Sequence, residues 1–123
     1  MRKMLAAAVL TTASLVALAA PAQAATKHKA HMSLTTYYPM AGRAYWVKGA
    51  GNAVPIKGAK VCIQYRYYWS KTWHIQKCTH TSTKGYAKAY PTLHEGAWYR
   101  WSLYATKSTT HAYSAWTECY SCG

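Results

Sequence analysis

The stretch between residues 59 and 81 constrains this chain more than any other. Apolar and polar residues alternate there on both sides of a turn centred on Ser70, and cysteines stand at 62 and 78. A period of two belongs to strands with one buried face, so the stretch predicts a β-hairpin. In that register Cys62 faces Cys78, Gln64 faces Gln76, Arg66 faces His74 and Tyr67 faces Trp73. Val61, Ile63 and Tyr65 then share a face with Trp73 and Ile75, and that face is expected to be core. The opposite face carries both cysteines, whose Cα atoms stand within disulfide range when directly opposed. A Cys62–Cys78 bridge contributes about 3 kcal/mol in the chain-entropy account.

All four cysteines lie beyond residue 60, at 62, 78, 119 and 122, and four cysteines permit three pairings. With Cys62 joined to Cys78, Cys119 is expected to pair with Cys122. A redox Cys-x-x-Cys opens a helix beside a βαβ unit, whereas only Gly123 follows here. A zinc knuckle would need a second closely spaced ligand pair, which Cys62 and Cys78 do not form.

Residues 1–24 read as an export signal. Arg2 and Lys3 precede an apolar run from Leu5 to Ala20, and Ala22-Gln23-Ala24 supplies a cleavage site before Ala25. The run is diluted by Thr11, Thr12 and Ser14, so it is read as a removable leader, and no other segment is apolar enough to span a membrane. The expectation is a secreted, extracellular protein with two disulfides. Residues 25–29 form a basic, mobile tail and 30–123 a single domain, the mature chain having 123 − 24 = 99 residues. A cut before Ala25 leaves His28 fourth, one place too far for an amino-terminal copper or nickel chelate. No metal or other cofactor is expected.

The rest of that domain breaks into short segments, with strands predicted near 30–38, 43–49, 59–68, 73–81, 86–90, 98–106 and 112–119. Residues 39–42, 49–52, 55–58, 83–85, 91–96 and 107–110 have turn or loop chemistry. Seven short strands in about a hundred residues predict an all-β sandwich. Leu93, Gly96 and Tyr99, spaced by three and leading into a strand, resemble the tyrosine corner of immunoglobulin-like and fibronectin-like sandwiches. Pro55 to Val61 resembles the Pro-x-x-Gly-Ala-x-Val strand start of bacterial Ig-like modules. Thr81 to Tyr86 resembles their Thr-rich turn ending in Gly, and Tyr99-Arg100 their Tyr-Arg strand. The resemblance covers about residues 42 to 116. It implies a seven-stranded immunoglobulin-like sandwich whose third, fourth, sixth and seventh strands share a sheet. The turn at 81–85 lacks the usual Asp, so no calcium-binding role is carried over.

Charge narrows the partners. The mature chain carries 15 − 2 = 13 Lys and Arg against Glu95 and Glu118, a formal +11. Such a field attracts polyanions. Six Trp and twelve Tyr with no Phe give every large ring a polar atom able to face water. The outward face of the hairpin sheet is expected to show Gln64, Arg66, His74, Trp98, Arg100, Tyr104 and Trp116. Rings that stack on sugars, beside Arg66, Arg100 and Lys88 for phosphates or carboxylates, suit an anionic extracellular or cell-wall polymer. A secreted cationic antagonist, antimicrobial or enzyme-inhibiting, fits the same charge. A basic ribonuclease is the enzymatic alternative, with two or more of His74, His80, His94 and His111 as acid and base, Glu95 or Glu118 assisting and Arg100 holding phosphate. No acid–base pair stands in a known motif, so no catalytic residue is assigned. Nucleic acid would be held by charge alone, without specificity.

Overall fold

The computed structural model describes residues 26–118. Ten strands run in the order β1 (Ala30–Met32), β2 (Thr36–Tyr37), β3 (Met40–Lys48), β4 (Asn52–Pro55), β5 (Lys60–Tyr67), β6 (His74–His80), β7 (Tyr86–Ala89), β8 (Ala97–Leu103), β9 (Ala112–Tyr113) and β10 (Thr117–Glu118). There is no helix among the described residues. Residues 1–25 and 119–123, which include the expected leader and the expected Cys119–Cys122 bridge, lie outside them.

Two long strands, each alternating buried and half-buried residues over its first five positions, organise the molecule. On β3, Met40, Gly42 and Ala44 are buried, and on β8 the buried set is Ala97, Tyr99, Trp101 and Leu103. β3 is the middle of sheet I, with β1 and β2 along one side and β4 and β7 along the other. β8 is central to sheet II, with β5 and then β6 on one side and β9 and β10 on the other. All pairings between these strands are antiparallel. The inner faces join in one core, in which Met32, Met40, Ala44, Ile56 and Ala87 meet Val61, Ile63, Tyr99, Trp101 and Leu103. Small residues on sheet I make room for the two large rings of β8. Gly42 is the tightest case: a Cβ there would come 2.1 Å from the Ser33 carbonyl oxygen and 3.0 Å from the Trp101 ring.

All seven predicted strands are present in this architecture, and three differences raise the count to ten. The first and last are each broken in two, and Asn52–Pro55, taken for turn sequence, pairs with β3 from Tyr45 to Lys48. Its Pro55 is tolerated because β4 is an edge strand. A serine fills each break. Ser33 Oγ accepts from the Arg43 amide at 3.0 Å, and Ser114 Oγ accepts from the Trp101 amide at 2.7 Å. These hydroxyls satisfy donors that the interrupted strands would otherwise leave unpaired in a low-dielectric setting.

The hairpin begins in the predicted register. Cys62 opposes Cys78 with Cα atoms 4.0 Å apart, and the two are disulfide-bonded. Past Ile63 the register slips: Lys77 faces Ile63 but Ile75 faces Gln64, leaving Gln76 as an extra residue. The expected pairs Gln64 with Gln76 and Arg66 with His74 are therefore replaced by Gln64 with Ile75 and Tyr65 with His74. A one-residue slip inverts every side chain beyond it. Ile75 is 56% exposed instead of buried, and the bulged Gln76 amide exchanges two 2.8 Å hydrogen bonds with the Thr92 backbone.

Two polar ties lock loops onto the core. Buried Thr81 accepts from the Ala59 amide at 2.9 Å and donates to the Ile56 carbonyl at 2.6 Å. The Tyr99 hydroxyl accepts from the His94 amide at 2.5 Å and donates to the Thr92 carbonyl at 3.2 Å, the backbone tie expected at that position. His28, within the segment read as a tail, pairs with Thr109 and lays its ring on Trp46 at 3.7 Å.

Thr81→Val keeps the shape but strands an amide and a carbonyl, so it should lower unfolding free energy by about 2 kcal/mol. Thr81→Ser should recover most of that loss in urea titration, and equal midpoints for Thr81→Val and the parent would refute the tie. Alkaline titration tests the ring packing. Burial, helped by the Tyr99 and Tyr68 phenols, pushes Tyr37 from 10.0 up to about 12, and burial pushes Tyr99 up as well. A folded-state proton held more tightly than in the unfolded chain gives stability that is constant below pH 10.0 and falls as pH rises toward about 12. Tyr37→Phe should flatten part of that decline and remove one late-ionising phenol from the absorbance titration.

Candidate functional site

The outer face of sheet II carries the residues that the core leaves over. Alternation on β8 turns Trp98, Arg100, Ser102 and Tyr104 away from the core, and alternation on β5 does the same for Cys62, Gln64 and Arg66. Pairing sets Ser102 beside Cys62, Arg100 beside Gln64 and Trp98 beside Arg66. The Arg100 Nε donates to Gln64 Oε1 at 2.7 Å, which fixes one guanidinium on its rung.

Two extra residues bring further rings to this face. The slip at Gln76 places Trp73 outside, where Arg66 and Arg100 lie 5.3 and 4.0 Å from its ring centre. On the far side of β8, four steps from Tyr113 to Thr117 span only three from Ser102 to Tyr99. That surplus residue lets Tyr113 and Trp116 face the same way, although residues three apart in a regular strand face opposite ways. Arg100 sits 3.7 Å from the Tyr113 ring centre and Arg66 4.6 Å from that of Trp116. The result is an interleaved row, Trp116, Arg66, Trp73, Arg100, Tyr113. It continues through His111, 4.6 Å from Tyr113, to Tyr104, over which Lys60 Nζ lies at 4.9 Å. At the other end Trp98 touches Trp116, and Tyr68 touches Trp98 while donating to Glu118 at 2.6 Å.

Of the expected site residues, Arg66, Trp98, Arg100 and Trp116 are contiguous, and Tyr104 closes the row at its far end. His74 is not among them: the slip turns it to the opposite side, against Tyr65 at 5.2 Å. Lys88 belongs to sheet I, opposite Ala41. Trp73 was expected on the core side, Tyr113 was not foreseen, and His111 was foreseen only as an acid–base candidate. For Trp73 no signal in the sequence separates the two registers; the pairing of Ile75 with Gln64 is what moves it outside.

Electrostatically the row is one-sided. Each guanidinium lies within cation–π distance of two rings, a favourable arrangement worth about 0.5 to 2 kcal/mol per contact. Burial holds Arg100 below its usual range; the Tyr113 phenol acts against that and neighbouring Arg66 adds to it. Arg66 Nε is buried with no hydrogen-bond partner among the described residues. Arg100 Nε is taken up by Gln64, so the terminal nitrogens of the two guanidiniums are the groups left to meet an oxyanion. The four central histidines are divided: His74 and His94 both meet Tyr65, whereas His80 and His111 belong to the end where Lys60 and Leu103 lie.

A double-mutant cycle measures the row. Trp73→Leu and Arg100→Gln should show a coupling of about 1 kcal/mol in unfolding free energy, since removing either partner removes the same contact. Additive effects would mean that the ring and the cation are merely neighbours.

No protein-family model matches this chain, and no curated protein or solved structure matches it either, so the chemistry of this face is read from its own residues.

Proposed function

We propose that the protein is a secreted, basic binding module of immunoglobulin-like type that holds an anionic extracellular or cell-envelope polymer on the outer face of sheet II. The observation that carries this reading is the interleaved row, in which Arg66 and Arg100 are clamped between Trp73, Trp116 and Tyr113. The single acidic side chain near it, Glu118, is bonded by Tyr68 at its end. Trp116 and Tyr113 remain about half exposed, at 47% and 51%, so sugar rings can stack on them while acidic substituents meet the N–H edges. The export signal and the net charge support an extracellular polyanion over a cytoplasmic one.

The ribonuclease alternative is disfavoured by placement. His74 and His94 lie together against Tyr65, on the side of sheet II away from Arg100, and His80 stands at the far end of β5 opposite Lys60. Of the four, His111 is the one whose ring contacts reach the row that holds Arg100. The antagonist reading shares the charge but makes no use of the ordered row.

The test separates recognition from charge. Retention on immobilised teichoic acid or polygalacturonate at about 0.15 M salt should exceed retention on cellulose or chitin, where no anion is offered. Arg66→Lys with Arg100→Lys preserves every charge but removes both flat forks, and should weaken binding about tenfold or more. Unchanged binding in that variant, with loss on added salt only, would reduce the face to a general positive field. Thermal melts of the variant check that the sheet is intact.

A further inference from the structure

The row does not stop at Tyr113, and what lies beyond it is a cavity. Along one edge of the molecule β1 of sheet I faces β9 of sheet II, and between them opens a space of about 370 Å³. Its walls include Lys29, His31, Tyr45, Thr110, His111 and Tyr113, with no carboxylate among the lining residues. Tyr113 therefore has two roles, as the ring under Arg100 and as a wall of this cavity. His111 stands on the boundary too, with Tyr113 at 4.6 Å and Tyr104 stacked at 5.7 Å.

We propose that this cavity is a second oxyanion subsite, for a sulfate, phosphate or carboxylate group of the same polymer, and that its grip tightens on acidification because His31 and His111 supply the added charge. The inference rests on the polymer-binding reading and extends it along the edge of the sheet.

Each imidazole is held where protonation is useful. His31 lies on Tyr45 at 5.2 Å, and His111 lies between Tyr104 and Tyr113, so a charged ring in either place faces an electron-rich one. The Ser102 hydroxyl, 3.1 Å from His111 Nε2, serves either state: it donates to the neutral nitrogen or accepts from the charged one. Other cations stand close. Lys29 lines the same cavity, Lys60 lies over the far side of Tyr104, and Arg100 lies on Tyr113. An anion in the cavity cancels the repulsion among these cations, so anion and proton each strengthen the binding of the other. Affinity must then rise as pH falls.

A probe whose own charge does not change is needed, and a dextran sulfate oligosaccharide meets that condition because sulfate esters stay ionised. Its affinity for the whole secreted protein should rise about tenfold between about pH 8 and pH 5.5 at constant salt. The double variant His31→Gln, His111→Gln should lose most of that gain, while His80→Gln, outside the cavity, should keep it. Gln at 111 retains a partner for Ser102, and imidazole proton signals give a second readout: only His31 and His111 should titrate at higher pH when the probe is present. Binding that does not change with pH, or a gain that survives in the double variant, overturns the subsite and leaves the row's function standing. Failure of the parent protein to hold the probe at either pH overturns both.

Discussion

The structure depends on the two-residue period of a β-strand and on where that period is interrupted. A strand can send alternate side chains to opposite sides and nothing else. β8 obeys this over its first five residues, burying Ala97, Tyr99 and Trp101 and turning Trp98 and Arg100 out. One extra residue beside β5 and one between β9 and β10 then decide which rings join the outward set. Without the first, Trp73 would enter the core side; without the second, Tyr113 and Trp116 would part company. Bulges here act as instruments of placement, each re-aiming one or more rings toward a guanidinium.

Energetically the two faces of sheet II solve different problems. The inner face buries Trp101 and Tyr99 against small residues of sheet I, so packing is achieved by pairing large with small. Tyr99 brings a polar atom into that core and discharges it on the loop at 92–94, which also receives the Gln76 amide. On the outer face rings lie against the guanidiniums of Arg66 and Arg100 and supply attraction there. The disulfide between Cys62 and Cys78 joins β5 and β6 next to the slip, so the register change occurs beside a covalent anchor.

Much of the fold was legible because period two is a strong signal where it persists. The segment from Val61 to Ile63 and the pairing of Cys62 with Cys78 could be read from spacing, and the tie at Tyr99 was implied by the resemblance to a tyrosine corner. Beyond Ile63 the same reasoning failed for a definite cause: nothing in the composition of Ile75-Gln76-Lys77 announces that Gln76 is surplus, because the evidence for it is a loop sixteen residues away. His74 and Trp73 exchanged sides as a result. Four of the six expected contact residues nevertheless came together, since Arg66, Trp98, Arg100 and Trp116 depend on the β5–β8 pairing and on the last edge. β4 escaped notice because its strand character comes from β3, whose residues Tyr45 to Lys48 supply the template.

The interruptions have a further consequence at high local concentration. β1 and β2 together form one margin of sheet I, β4 and β7 the other, and β9 and β10 one margin of sheet II, so three of the four margins are made of short pieces meeting at a kink. The fourth, β6, is bulged and is latched to the 90–92 loop through Gln76 and Lys77. Among the described residues no margin offers a long, straight row of free amides and carbonyls onto which another copy could add in register. A chain so rich in rings is thereby shielded from ordered self-association by the geometry of its borders, with mutual charge repulsion as a second barrier.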